Sequence, residues 1–233
     1  MRKFYQNPAA YLKKPTHKDY FNTLKRIIKS EKIKKVLDIG CGPGHLSYFM
    51  PENLDILGID INNKLLKIAK KNNKNKNKEF RNIDLFGCSK KKLQKKIKKN
   101  SLLSYDLITC FGTVNILNNI ENVIQTMCKL RAKKIIIEAT LNDHGYNVMI
   151  DYVKNSNKEK NFKNIYSKEL VSYLFKKNNH TVKFIKYNMK GTLIRRKKDL
   201  MRKYHIILKN RKRILTSALG MIENEYLIIA TKK

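Results

Sequence analysis

The stretch KVLDIGCGPGHLSYFM (residues 35–50) places an acid at the end of an apolar run and then a glycine at every second position. Val36, Leu37 and Ile39 are strand formers in a run too short for a helix. Gly40, Gly42 and Gly44 make a turn whose backbone can approach a ligand closely. His45, Leu46, Tyr48 and Phe49 then open a helix. A strand, a glycine turn and a helix N-terminus together form a seat for a nucleotide-like ligand, with backbone N–H groups pointing at it.

Outward from this stretch the chain alternates strands and helices. Upstream, Tyr20, Phe21, Leu24, Ile27 and Ile28 recur at helical spacing. Downstream, strands are expected at 54–61, 79–86, from 105 and at 133–140, with helices at 63–72, 89–99 and 120–130 between them. The fifth strand, KKIIIEAT, is almost continuously apolar and so buried on both faces. An irregular connection follows, then a helix at 167–178 with Ser167 as its N-cap. Strands at 180–188 and 225–232 close the chain. This alternation predicts an α/β fold: a doubly wound, Rossmann-like, seven-stranded and mostly parallel sheet, antiparallel in its last strand, with helices on both faces. No repeat or linker marks a second domain, so residues 1–233 are expected to form one, with 1–30 as an N-terminal helical cap.

The net charge of +34 draws attention to anionic partners, yet only nine of the 52 basic residues are arginine. Runs such as KKNNKNKNKEF (70–80) have the Lys and Asn bias that an A/T-rich genome writes at permissive positions. No stretch is long enough to cross a bilayer, and the N-terminus lacks the apolar core of a signal peptide. Cys41, Cys88, Cys110 and Cys128 are scattered, without a C-x-x-C pair or zinc spacing. A cytoplasmic protein with reduced thiols and no metal is expected; its oligomeric state is left open.

The dinucleotide pattern G-x-G-x-x-G fails, because the last position counted from Gly40 is His45. The pattern present is D-x-G-x-G-x-G, Asp38 through Gly44. Asp38 would repel a pyrophosphate and favour a ligand carrying an amino group and a sulfonium.

At this point the chain resembles the class I S-adenosylmethionine-dependent methyltransferases, whose first motif VLDIGCGPG matches throughout. The resemblance runs from about residue 17 to the C-terminus. It implies S-adenosyl-L-methionine as cofactor, cradled by Asp38, Gly40, Cys41, Gly42 and Gly44. ILGIDI places Asp60, with Ile61 beside it, where the family holds the ribose hydroxyls. NIDLF places Asp84 at the adenine amino group, with Ile83 and Leu85 near the ring. YDLITCFGTVNIL matches the fourth-strand motif, so that Phe111 and Gly112 flank the methionine part. Each has a plainer reading beside it: Asp60 as a helix N-cap, Asp84 as a turn residue, Cys41 as a small packing residue. Asp106 reads as structural, setting the entry of its strand.

Methyl transfer from a sulfonium is an in-line displacement, in which the protein mainly aligns the acceptor and excludes water. No catalytic residue is therefore demanded by the family, and His144 and His17 are the candidates for a base. The fourth strand lacks the [DN]-P-P-[FYW] tetrad of many amino-methylating nucleic-acid enzymes, and no Pro-Cys nucleophile motif is present. The expected acceptor is a small metabolite or biosynthetic intermediate. An RNA methyltransferase and a catalytically silent partner subunit are the alternatives, and a polyamine synthase lacks its acidic acceptor motif. Residues 189–224 form a basic insertion between the last two strands, holding five of the nine arginines. Leu200, Met201, Tyr204, Ile207 and Leu208 fall on one face of a helical projection, opposite Arg195, Lys198, Arg202, His205 and Lys209. That face is expected to receive an anionic acceptor such as a phosphorylated sugar, an acidic lipid surface or RNA.

Overall fold

Successive residues of a strand face opposite sides of its sheet, and here both sides are apolar. The computed structural model describes residues 18–154, 159–187, 204–207, 213–216 and 224–233. Its helices and strands, in order, are α1 (Lys18–Ser30), β1 (Lys35–Ile39), α2 (His45–Phe49), β2 (Asp55–Asp60), α3 (Asn63–Asn72), β3 (Lys78–Asn82), α4 (Lys90–Lys99) and β4 (Leu107–Phe111). After a 3-10 turn at Val114–Ile116 come α5 (Ile120–Lys129), β5 (Lys134–Asn142), β6 (Val148–Lys154), β7 (Glu159–Ser167), α6 (Lys168–Lys177) and β8 (His180–Tyr187). The short strands β9 (Tyr204–Ile207) and β10 (Arg213–Thr216) precede β11 (Asn224–Lys232).

The main sheet runs β3-β2-β1-β4-β5-β11-β8. The pairs among β1 to β5 are parallel, whereas β11 is antiparallel to both β5 and β8. Strand β8 therefore points the same way as β5, and its end opens on the same edge. All seven expected strands lie in this path. On β1, Val36 joins one core cluster and Leu37 another; on β5, Ile136 parts in the same way from Ile135 and Ile137. One cluster receives Phe21, Leu24 and Ile28 of α1, the other Leu93 and Ile97 of α4 with Val123, Ile124 and Met127 of α5. Asp106 is structural, as expected, but it acts on the neighbouring strand: it accepts the backbone N–H groups of Lys34 and Lys35 and so fixes the entry of β1 and not of its own β4. Ser167 caps α6 through the Leu170 N–H, and Asn62 caps α3.

Three local expectations are corrected. The third strand stops at Asn82, because the Asp84 carboxylate accepts the N–H groups of Phe86 and Gly87 and bends the chain into a turn. The connection after β5 is an antiparallel hairpin, β6 against β7, and β7 also joins β5 through Leu141–Tyr166 and Asn142–Ser167. The helix drawn through residues 200–208 is overturned where it is described: Tyr204–Ile207 is a strand paired with Arg213–Thr216. Tyr, His and two isoleucines fit a pleat better than a helix turn, and so short an apolar run satisfies either period. The rest of that segment lies outside the described residues. No helix among the described residues is long and apolar enough to cross a membrane.

Candidate active site

The strand order reverses between β1 and β4, and a crevice opens where their carboxyl ends part. A cavity of about 660 Å³ occupies it, lined by the glycine turn, the ends of β2, β4 and β5, the loops after β3 and β4, and α1. That volume is in the range of small-molecule and cofactor sites.

The three turn glycines have positive φ, at 72°, 53° and 78° for Gly40, Gly42 and Gly44. They are not equivalent. A Cβ on Gly40 would lie 2.2 Å from Thr113 Oγ1, and one on Gly44 would meet Asn73 at 2.7 Å. A Cβ on Gly42 would meet no protein atom within 4 Å. Gly40 and Gly44 are thus required by the fold, while Gly42 leaves open the space in front of it. The turn is held to β2 by Gly40 N–H and Cys41 N–H, both donating to the Ile59 carbonyl.

Asp38 sits opposite Thr109 in the β1–β4 register and accepts its hydroxyl at 2.8 Å. Burial pushes its carboxyl up to about 7, the Thr109 hydrogen bond pulls it down, and nearby Asp60 adds to the rise. Asp60 accepts Gly42 N–H at 2.9 Å and Asn62 N–H at 2.8 Å, one on each oxygen. Burial raises its pKa too, against the lowering effect of those bonds. The carboxylate thereby orients the glycine turn and faces the cavity at once. Asp84 lines the cavity beyond it, its Oδ1 held by the Phe86 and Gly87 N–H groups.

A second group of residues was not legible as a site in the sequence. Glu138 is the one charge inside the apolar run of β5 and, like Asp38, lines the cavity. Its Oε2 accepts Gly112 N–H at 2.7 Å and its Oε1 accepts the Tyr187 hydroxyl at 2.9 Å. The Tyr20 ring stands 5.2 Å from Phe111 and 6.0 Å from Tyr187, centroid to centroid. Burial raises the Tyr20 and Tyr187 hydroxyl pKa values, with the Glu138 charge adding to both. The lone acid in KIIIEAT was the signal that could have found this group.

The sequence matches the family model described as "Methyltransferase domain" over residues 30–202. The chain belongs to that family. It is a class I S-adenosylmethionine-dependent methyltransferase. No curated protein matches its sequence. Among solved structures it is similar to the N-terminal domain of EvdMO1, crystallised with SAH and D-fucose, at TM-score 0.62 and 9% identity, covering 93% of this chain and 84% of that one. The YcgJ protein from Bacillus subtilis aligns at TM-score 0.59 and 13% identity, over 93% of this chain and 99% of that one. Magnesium protoporphyrin IX methyltransferase from Synechocystis PCC 6803, with bound SAH, aligns at TM-score 0.56 and 12% identity, over 94% and 84%. At these identities the likeness is one of fold.

The cavity of this methyltransferase fits the family's donor. The open space before Gly42 is a cradle that any side chain there would fill. Four carboxylates, Asp38, Asp60, Asp84 and Glu138, line the cavity, and among the described residues its lining includes no lysine or arginine. Such a wall opposes a pyrophosphate and suits a ligand with a sulfonium and an ammonium. Of the residues singled out in the sequence, Gly40, Cys41, Ile61, Ile83, Leu85 and Phe111 all line it as well. Cys41 is buried with its thiol pKa raised, which makes it a packing residue and not a nucleophile. His144 is elsewhere: exposed, stacked on Tyr146 at 5.7 Å, and absent from the cavity wall. His17 lies outside the described residues.

Proposed function

We propose that this methyltransferase transfers the methyl group of S-adenosylmethionine to a small metabolite or biosynthetic intermediate. The observation that carries the reading is the cavity itself, an acidic and partly aromatic chamber inside a chain of net charge +34. An RNA acceptor is held chiefly through its phosphates, and the described wall of this cavity presents carboxylates instead. Asp60, with Ile61, would hold the ribose; Ile83, Asp84 and Leu85 would surround the adenine. Asp38, Gly40, Cys41, Gly42 and Phe111 would enclose the methionine portion, while Gly44, expected there from the sequence, is not in the cavity wall and packs toward Asn73 and Phe80. The donor supplies an activated methyl group; the protein's part is to orient both molecules and keep water out. Residues 1–233 would work as one domain, with residues 1–30 as a cap and 189–224 as an insertion. Free cysteines suit a cytoplasmic setting.

Calorimetry with S-adenosylmethionine, S-adenosylhomocysteine and NAD tests the donor half of this proposal. Stoichiometric binding of the first two without the third is expected, and tight NAD binding would sink it. The acceptor half is tested by methyl transfer from labelled donor to a small-molecule extract and, in parallel, to total RNA. Site-specific RNA methylation would overturn it.

A further inference from the structure

The carboxylates of the cavity outnumber the positive charge that the methyl donor brings, since its sulfonium and ammonium are offset by its own carboxylate. This deepens the proposed function and rests on it. With Asp60 and Asp84 assigned to the ribose and adenine, and Asp38 beside the glycine turn, Glu138 is surplus to the donor. It stands on the β5 side of the cavity, where Phe111 lies opposite it in the β4–β5 register and Tyr20 of α1 packs on Phe111. Tyr187 stands behind it and donates its hydroxyl to Oε1 at 2.9 Å. Among the described residues each carboxylate oxygen accepts one bond and retains acceptor capacity. A half-buried carboxylate beside aromatic faces is the environment that a desolvated cation seeks.

We propose that the acceptor is a small primary or secondary amine, received as its ammonium by Glu138 against the rings of Tyr20 and Phe111. The ammonium sheds a proton to the Glu138 carboxylate, which frees the nitrogen lone pair. A nitrogen–carbon bond then forms as the carbon–sulfur bond breaks, and the displaced electron pair stays on sulfur. The proton leaves from Glu138 to water. The reading departs from the anionic acceptor expected from the basic insertion, because the described residues of the cavity wall carry the opposite charge.

The test loads the full chain with S-adenosylhomocysteine and titrates it with primary amines from ethylamine to tyramine, alongside the matched alcohols and carboxylates. At least one amine should bind saturably, about tenfold or more tightly than its uncharged and anionic counterparts. The same amine should accept labelled methyl from S-adenosylmethionine. Glu138→Gln keeps an oxygen for the Gly112 N–H; it should lose that discrimination while its melting temperature and S-adenosylhomocysteine affinity hold. Tyr187→Phe, a milder change behind the same carboxylate, should reduce it in the same direction. No saturable amine, equal binding of the three series, or unchanged discrimination in Glu138→Gln overturns the proposal. Failure of S-adenosylhomocysteine to bind overturns the donor reading instead.

Discussion

At the β1 side of the cavity the wall is backbone: Gly40, Gly42 and Gly44 in left-handed conformations, their turn tied to β2 by N–H groups. At the β5 side the wall is side chain: Glu138, Phe111, Tyr20 and, behind them, Tyr187. The first wall is built within a few residues and has one geometry. The second draws on α1, β4, β5 and β8, and its shape depends on how those elements pack. A donor common to a large family suits the fixed wall, and an acceptor that differs between members suits the adjustable one.

The largest expected effect breaks the backbone wall. Gly40→Ala places a Cβ where Thr113 Oγ1 would lie 2.2 Å away and forces alanine to a φ of 72°. A loss of about 3–5 kcal/mol in urea unfolding is expected, combining left-handed strain with a steric clash. Gly42→Ala meets no protein atom, so only the conformational cost of about 1–2 kcal/mol should appear. Its damage should instead be to donor binding in calorimetry. Unchanged donor affinity in Gly42→Ala would show that the space before Gly42 is not the seat.

The next effect follows from Asp38. Its carboxyl titrates near 4 in an unfolded chain and is pushed up to about 7 by burial in the fold. A raised pKa means that the folded state holds the proton more tightly. The contribution is therefore full below about pH 4 and is lost as pH rises through 7, on the order of a few kcal/mol. Asp38→Asn should flatten this part of the stability profile, measured by urea unfolding across pH 4.5–8. An unchanged slope in that variant would exclude Asp38 as the group responsible.

The contrast between the walls also explains what could be read from sequence. A backbone that must adopt positive φ writes glycine at fixed spacing, so Asp38 through Gly44 announced the strand, the turn and one wall of the cavity together. Asp60 was legible as a residue of the same cavity because it ends the next strand, one crossover away. Glu138 is 118 residues from Tyr20 and 49 from Tyr187, and nothing local in KIIIEAT says what the acid faces. The hairpin of β6 and β7 was missed for a related reason. Asn164 and Tyr166 of β7 bond the Leu117 carbonyl, and Asn115 bonds the Thr140 and Asn164 carbonyls. These tertiary bonds order a polar stretch whose own pattern is weak. His144 follows β5, where strand ends open on the cavity, but Asn142 accepts its N–H and turns the chain at that point.

A smaller effect probes the joint between the walls and the ligand. Asp60 accepts Gly42 N–H and Asn62 N–H, and its remaining acceptor capacity faces the cavity. Asp60→Ala should weaken S-adenosylmethionine binding by about 1–3 kcal/mol, the range for losing charge-assisted hydrogen bonds. Wild-type affinity in that variant would remove Asp60 from the donor site.

The smallest effect is the most specific. Thr109 donates to Asp38 Oδ1 at 2.8 Å, a bond that favours the ionised carboxylate. Thr109→Val keeps the branched shape in a fully buried position and removes only the donor. The Asp38 pKa should rise by about one unit, equal to about 1.4 kcal/mol of differential interaction. A cationic ligand binds the ionised form better, so wild-type affinity for S-adenosylmethionine should increase with pH up to about 7 and then level. Calorimetry in buffers of different ionisation enthalpy should register proton release over the same range. In Thr109→Val both the levelling point and the proton release should move about one unit higher. A profile that stays in place would mean that a different group titrates, and Asp38 would then serve the turn and not the ligand.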